Sequence, residues 1–409
     1  MKRDKLFEEI GLIRDSHVAE ADTVIKLPSA KRPWAKRTSI AAAACLVIAM
    51  AFIAIPQLKL QDPTYNPPVE LPMLTISDNT EAFGFEGYLA YDISELANGN
   101  PWIDDVSIKT LPVFKNPTGY DSAGMPVSGL SADTMIRIAE KTATLLGLTV
   151  DSVYTNPTAE NLQREKEKVQ ALPGEENYEP DATQTEAVAI CGDVTIKVQA
   201  NGAVRIFFES EIQLPGEYSL TYYDTTEAQA IEATHYLLEQ YKAVVGMTSP
   251  ALALFGDYTY EGQRGFDFVA YEKDGSLIEQ ILGYNFNQIQ FSPNEDGALW
   301  IIDRYSADLS QKIADYPIIF ALEAKGELLR GRYITTVPEE FPGEEYIARV
   351  ELVYRTGRHD EMFMPYYKFL VEMPSMQRDN GLKTFGAYYV PAVESQYISN
   401  MPLWDGSFN

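Results

Sequence analysis

The sequence predicts an α+β fold, in which a single N-terminal transmembrane helix precedes units built from a helix followed by an antiparallel meander. Every residue from 40 to 55 is apolar, as in a membrane span. Segments 131–146, 226–245 and about 320–330 carry apolar residues at helical spacing, and strand-like segments follow each of them. Asn201-Gly202 separates two alternating runs, which is typical of a β-hairpin with a type I′ turn.

The predicted anchor covers residues 38–58. Its 21 residues would form about 31 Å of helix, which matches a hydrocarbon layer of about 30 Å. Four basic residues lie within eight positions before the span and one lies shortly after it. Because positive charge stays inside, we expect the amino terminus in the cytoplasm and residues 59–409 outside the cell membrane. The five residues are Lys31, Arg32, Lys36, Arg37 and Lys59.

Three other interpretations of the apolar run are less favoured. The Ala49-Met50-Ala51 triplet resembles a signal-peptide cleavage site, but it lies inside the run and six acids precede it. A lipoprotein signal would place most of the apolar run before Cys45, whereas most of it follows that residue. A buried helix of a soluble core would not need the basic flank.

The tail, residues 1–37, is predicted to contain an amphipathic helix. Leu6, Ile10 and Ile13 recur at helical spacing, and Val18 extends the stripe. Such a helix is marginal alone in water and needs a surface that buries its apolar face. Because the tail is rich in acids, a cytoplasmic protein partner is favoured over the lipid surface, and these four residues are the candidate partner-binding residues.

The start of the chain resembles a group of membrane proteins from Gram-positive bacteria (Firmicutes). The resemblance covers about the first 55 residues and rests on runs 10–21, 31–34 and 41–46. Some members of that group are similar to anti-sigma factors, which hold a sigma factor at the membrane through their inner segment. The resemblance therefore implies a sigma factor as the cytoplasmic partner.

Charge is distributed unevenly along the chain. Residues 1–60 hold ten basic and six acidic side chains, whereas residues 61–409 hold 23 basic and 53 acidic ones, a net charge of −30. This acidity excludes nucleic acid as a partner, because its phosphates require a basic surface. Cys191 stands alone after the span, so the outer region cannot form an internal disulfide, which is consistent with a bacterial exported protein.

The outer region is predicted to divide into five parts. Residues 59–129 are a proline-rich stalk, up to about residue 75, followed by irregular structure. The three helix-plus-meander units cover 130–222, 223–314 and 315–395, and an acidic, solvated insertion at 160–186 interrupts the first. Residues 396–409 form a C-terminal tail.

The last unit is similar in element order to PepSY-type domains and to the outer domains of membrane proteins that restrain Gram-positive histidine kinases. Its three predicted strands are 347–354, 366–371 and 384–390, and the Tyr366-Tyr367-Lys368-Phe369 segment adds to the likeness. The resemblance implies a regulatory or inhibitory role and an antiparallel PepSY-like fold.

Candidate chemistry is sparse in this sequence. Outside the tail, His235 fits a helix surface and His359 a charged turn, and no catalytic or cofactor motif is present, so we expect neither enzymatic activity nor a cofactor. A calcium loop is the strongest metal pattern, with Asn294, Asp296 and Asp303 as ligands. A hairpin turn explains the same segment and is the favoured interpretation.

These observations predict a non-enzymatic, single-pass membrane regulator or sensor. Its outer domain would bind an envelope ligand, and its tail would engage a cytoplasmic partner in an anti-sigma-like manner. The alternative is a membrane-tethered binding or peptidase-inhibitor module that does not signal.

Overall fold

The computed structural model describes residues 71–77, 88–90, 99–103, 108–120, 126–156, 159–174, 177–178, 186–221, 224–254, 268–335, 337, 339–357, 360–377, 381 and 383–404. The chain divides into two compact units, Met1–Val69 and Glu70–Asn409, and every described residue belongs to the second. The predicted tail and span lie outside the described residues. Within the described ranges, no helix has the length and apolar character needed to cross a bilayer.

The described residues form a mixed α+β structure whose sheets are mainly antiparallel. The strands are β1 Tyr88–Ala90, β2 Thr110–Lys115, β3 Ser152–Asn156, β4 Glu186–Cys191, β5 Val194–Gln199, β6 Val204–Ile212, β7 Pro250–Leu254, β8 Phe268–Glu272, β9 Asn287–Pro293, β10 Leu299–Ser306, β11 Lys312–Pro317, β12 Ile334–Thr335, β13 Ile347–Tyr354, β14 Met362–Phe363, β15 Pro365–Glu372 and β16 Thr384–Pro391. The helices are α1 Ala132–Leu145, α2 Ala159–Gln170, α3 Glu227–Gln240, α4 Lys242–Val245, α5 Leu277–Phe286 and α6 Ala321–Leu329. Single 3₁₀ turns lie at Glu344–Tyr346, Pro374–Met376 and Ser395–Tyr397.

The first two predicted units share one sheet, here named the large sheet. Within the described residues its order is β3-β4-β5-β6-β10-β9-β8-β7, with antiparallel neighbours throughout. Each unit contributes a four-stranded meander, and the two meanders join through their last strands, β6 and β10. The strand order therefore reads the same from either edge, as in two halves related by a two-fold axis.

Helices α1, α3 and α4 cover one face of the large sheet. Ser131 caps α1, since its hydroxyl accepts a hydrogen bond from the Thr134 amide, and Thr226 forms a capping box with Gln229 at the start of α3. The helix predicted over 226–245 is interrupted at Tyr241, where α3 ends and α4 begins. The core beneath these helices includes Met135, Ala139, Ala143, Ala230, Ala233, Leu237, Val244, Ile196, Ile206, Ile289 and Ile302.

The β5–β6 hairpin forms where the sequence predicts it, but its turn is not type I′. That turn needs positive φ at both central residues, whereas among the described residues only glycines have positive φ. Gly202 alone has it here, at 86°, and its amide donates to the Gln199 carbonyl. The Asn201 side chain accepts from the Ala203 amide, so the loop is a type I-like turn closed by a left-handed glycine.

Two helices differ from the sequence-based interpretation. The predicted solvated insertion at 160–186 begins with α2, an exposed helix that an Arg164–Glu160 ion pair supports. Helix α5 was not predicted, although Ser276 and Glu279 form a capping box at its start. Asn285 of α5 accepts a hydrogen bond from the Tyr354 amide of β13, so α5 connects the large sheet to the third unit.

The third predicted unit forms a separate sheet of the order β1-β16-β15-β13, with β12 paired to β16. Its strands β13, β15 and β16 match the predicted segments within two residues. Every residue of β16 is buried, as expected for a strand covered on both faces. Helix α6 packs on one face through Ala321, Ala324 and Leu328.

Contacts on the other face of this sheet show that the end of the predicted stalk is part of the folded core. Residues 71–77 pack against the core instead of extending freely. Leu74 is buried, donates to the Tyr397 carbonyl and accepts from the Ser399 amide, each at 2.8 Å. Tyr316 reinforces this contact, since its hydroxyl donates to the Pro72 carbonyl. In the region predicted to be irregular, β2 is the middle strand of a three-stranded sheet with β11 and β14.

Candidate ligand-binding cleft

A cleft of about 780 Å³ opens at one end of the large sheet. Its walls are α1, α4, the β5–β6 hairpin and the segments at residues 117–118, 128–130 and 306–311. Pockets of 300–1,000 Å³ usually accommodate a small molecule, so the size fits a ligand site. We call it the Arg304 cleft, after the residue at the end of β10 that lines it.

The backbone around the β5–β6 hairpin gives the cleft its shape. The Leu130 amide donates to the Ala200 carbonyl at 2.8 Å, which holds residues 128–130 against the hairpin. A Cβ atom on Gly129 would lie 2.7 Å from the same carbonyl oxygen, and Gly129 has a φ of 128°. Only glycine permits this approach, so the wall depends on the residue type at position 129.

One side of the cleft, on α1, combines the apolar Ile138 and Leu145 with the polar Lys141 and Thr142. On α1, the residues facing it recur three and four positions apart, which places them on one helical face. Leu145 remains 40% exposed there, so its side chain is available for contact with a ligand. The apolar lining comprises Leu130, Ile138, Leu145, Val204, Ala243 and Val244.

Arg304 brings an unpaired cation into this apolar setting. Val204 is its cross-strand neighbour on β6 and Ile289 its neighbour on β9, and both belong to the core beneath the helices, so its side chain leaves the helix-covered face of the sheet. Its Nε atom is buried without a hydrogen-bond partner, and no carboxylate of the described residues lies within ion-pair distance. Burial lowers the pKa of the guanidinium, which nevertheless stays charged at neutral pH.

Eight other polar residues also line the cleft: Thr118, Ser128, Lys141, Thr142, Asn201, Ser306, Asp308 and Gln311. Lys141 of α1 adds a second cation, and Asp308 adds a carboxylate that accepts from the Ser310 amide at 2.9 Å. Asn201 also lines the cleft, and only its side-chain oxygen is occupied, by the Ala203 amide. With two cations and one carboxylate the cleft is locally positive, in a chain whose net charge is −26.

The opposite face of the large sheet holds a second, smaller hollow of about 390 Å³. The charged side chains on this face are paired: Arg205 binds Asp303 through two hydrogen bonds, and Lys197 lies 3.2 Å from Glu186. Arg304 also borders this hollow, although its cross-strand neighbours place its side chain on the other face. The Arg205 and Lys197 cations lie within 6 Å of the Phe207 ring, at 5.8 and 5.9 Å. This hollow is therefore a satisfied polar sheet face, in contrast to the cleft.

The structure does not bring the predicted calcium ligands together. Asn294 and Asp296 lie in the β9–β10 turn, where the Asn294 side chain accepts from the Ala298 amide. Asp303 lies four residues into β10, about 13 Å along the strand, and is engaged by Arg205. The favoured hairpin interpretation is confirmed, and the described residues contain no cluster of three metal-ligating side chains.

The remaining predicted positions are only partly described. His235 lies exposed on α3, as expected for a helix-surface residue. His359 and the partner-binding candidates Leu6, Ile10, Ile13 and Val18 lie outside the described residues.

Sequence reasoning missed Arg304, although a signal was present. In an alternating strand an arginine at the same parity as Ile302 occupies an inward position, which is unusual for an unpaired charge. A register irregularity between Leu299 and Ile301 shifts the alternation and obscures this signal.

Comparison with known proteins adds no relative to this description. The sequence matches no protein-family profile, and no curated protein is significantly similar to it.

Proposed function

We propose that this chain is a non-enzymatic, single-pass membrane regulator of a Gram-positive bacterium. Its region after the anchor binds an envelope ligand, and its cytoplasmic tail engages a protein such as a sigma factor. The observation that carries the proposal is the Arg304 cleft, because an open cavity with apolar residues beside a cation that has no partner among the described residues is suited to binding a ligand. The apolar span with its basic flank and the Leu6/Ile10/Ile13 stripe support the membrane and signalling parts.

The PepSY-like comparison also belongs to this proposal. The support for it is that α6 precedes the antiparallel strands β13, β15 and β16, with the short strands β12 and β14 between them in the chain. Such an order is compatible with the regulatory role of those domains, although many functions share one fold.

The signalling half is tested in cells that produce the full chain. Replacing Leu6, Ile10 and Ile13 together with aspartate removes the stripe. The expected result is a changed transcription profile and loss of a co-precipitated transcription factor or kinase from solubilised membranes. The matched control adds three aspartates off the stripe, at Ser16, Ala19 and Thr23, and should behave as the natural chain.

A second candidate is a tethered binding or peptidase-inhibitor module without signalling. The same cleft favours it, since ligand binding there does not require the tail. Unchanged transcription in the stripe variant, with ligand binding retained, would select this candidate over the regulator.

A further inference from the structure

We infer that the Arg304 cleft accepts an amphiphilic anion, with an apolar body against Leu130, Ile138 and Leu145 and a carboxylate, phosphate or sulfonate group on Arg304. The inference deepens the proposed function and rests on its ligand-binding half alone. It requires neither the tail nor a cytoplasmic partner, so its failure and that of the signalling half can be separated.

The charge of Arg304 selects the anion. A guanidinium that loses water needs compensation, and an anionic oxygen pair gives the strongest, through two parallel N–H···O hydrogen bonds. Arg205, on the neighbouring strand β6, shows this arrangement, because Asp303 accepts from its Nε and from an Nη atom, the latter at 2.9 Å. Arg304 follows Asp303 in β10 and has no such carboxylate partner among the described residues. A bound anion would supply it.

The apolar wall selects the body of the ligand. Leu130, Ile138 and Leu145 all line the cleft, and the last two lie on the same face of α1. A simple inorganic anion would leave this wall exposed to water, whereas a chain or ring system would cover it. The cleft volume of about 780 Å³ also exceeds what a phosphate or sulfate ion would fill.

The charge of the whole chain makes the inferred contact distinguishable from loose anion binding. A protein of net charge −26 repels anions at long range, and salt screens that repulsion. A contact with a partly buried arginine is screened much less. We therefore expect the affinity to hold or rise between about 50 and 300 mM NaCl, whereas binding to exposed lysines would weaken.

The test uses the full chain in phosphatidylcholine nanodiscs and isothermal titration calorimetry, with empty discs as background. The probes are naphthalenesulfonate and the neutral naphthalenemethanol, which share their rings and differ in charge. On the natural chain the sulfonate should bind at least about tenfold more tightly, a ratio that corresponds to ~1.4 kcal/mol. Arg304→Gln should abolish this preference, and Arg205→Gln, which removes a paired arginine of the opposite face, should retain it.

A second pair of variants avoids the sheet altogether. Leu145→Asp places a carboxylate on the exposed rim of the cleft and should weaken sulfonate binding while sparing the alcohol. Leu172 is 56% exposed and does not line the cleft, so Leu172→Asp is the matched control and should leave both affinities unchanged. Because both leucines are substantially exposed, neither variant should fail to fold.

Three outcomes overturn the inference: equal affinity for the two probes, a preference that survives Arg304→Gln, or no binding of either probe. Adding phosphatidylglycerol to the discs identifies the source of the anion. Weaker sulfonate binding there indicates a lipid headgroup as the competing ligand, and unchanged binding indicates a free amphiphile. An unchanged transcription profile in the stripe variant, together with an intact sulfonate preference, would reject the signalling half only.

Discussion

Replacing Arg304 with methionine should make the protein more stable. In the natural chain the Nε–H group of Arg304 is buried and has no hydrogen-bond partner among the described residues. Leaving a buried donor unsatisfied costs about 1–3 kcal/mol, and methionine has no donor to satisfy. The methionine side chain also retains most of the apolar contact that the arginine stem makes. We expect the free energy of unfolding to rise by roughly 1–2 kcal/mol.

Arg205 provides the opposite case on the same sheet. It is bound by Asp303 and its side chain is 53% exposed, so Arg205→Met should lose stability, by about 0.5–1 kcal/mol. The two variants remove the same side chain from neighbouring strands and differ in whether a carboxylate was bound. Opposite signs for the two changes therefore report on pairing and not on arginine removal as such.

Urea unfolding followed by tryptophan fluorescence measures both variants, with the midpoint and the slope fitted separately. Equal slopes would show that the shifts reflect stability and not compactness. A loss of 1 kcal/mol or more in Arg304→Met would refute the reasoning, since it would mean that the guanidinium is well compensated in the folded state. If the reasoning holds, adding the inferred anion should raise the free energy of unfolding of the natural chain and leave that of Arg304→Met unchanged.

Two further predictions concern the rest of the fold. Leu74→Ala should lower the free energy of unfolding by about 2–4 kcal/mol, because Leu74 is fully buried, whereas Met73→Ala, at a residue 55% exposed, should change it by less than about 0.5 kcal/mol in the same urea assay. For Glu272, burial alone would raise the pKa, but hydrogen bonds from the amides of Asp274, Thr248 and Ser249 lower it below the ordinary 4.5. A carboxyl group whose pKa is lower in the folded state stabilises the protein at any pH above its unfolded pKa, and this stabilisation is lost as the pH falls through the folded pKa. Glu272→Gln should therefore be less stable than the natural chain at pH 7 and equally stable in strong acid. A difference in stability that stays constant across that pH range would contradict the assignment.

Much of the architecture was predictable because local patterns and tertiary packing agree. Ser131 and Thr226 cap helices where the apolar periodicity begins, and the aromatic and β-branched runs of β13, β15 and β16 suit a strand covered on both faces. In such segments each local preference points to the structure that the packing also requires.

Helix α5 shows why other parts were not predicted. Gly283 interrupts its helical pattern and reads as a turn signal in the sequence alone. In the structure a Cβ atom there would lie 2.7 Å from the Glu272 carbonyl, so the glycine serves close packing of the helix on β8. The packing reason is non-local and cannot be recognised from neighbouring residues.

The candidate cleft was hidden for a similar reason. Its lining comes from segments as far apart in the sequence as Pro117 and Gln311, and only the folded sheet brings them together. The weak calcium candidate illustrates the opposite case, because Asp296 and Asp303 are close in sequence and a strand holds them apart, as the favoured hairpin interpretation requires.

The pairing of β6 with β10 affects whether either half of the large sheet can exist without the other, in a truncated chain or in evolution. Each half of the large sheet ends in the strand that the other half needs as a neighbour. A chain cut after residue 222 would present the nine-residue strand β6 with open amide and carbonyl groups, and its former partner would carry the complementary edge. Severed halves should pair with copies of themselves or aggregate, so the two halves are expected to be gained, lost and exchanged only together.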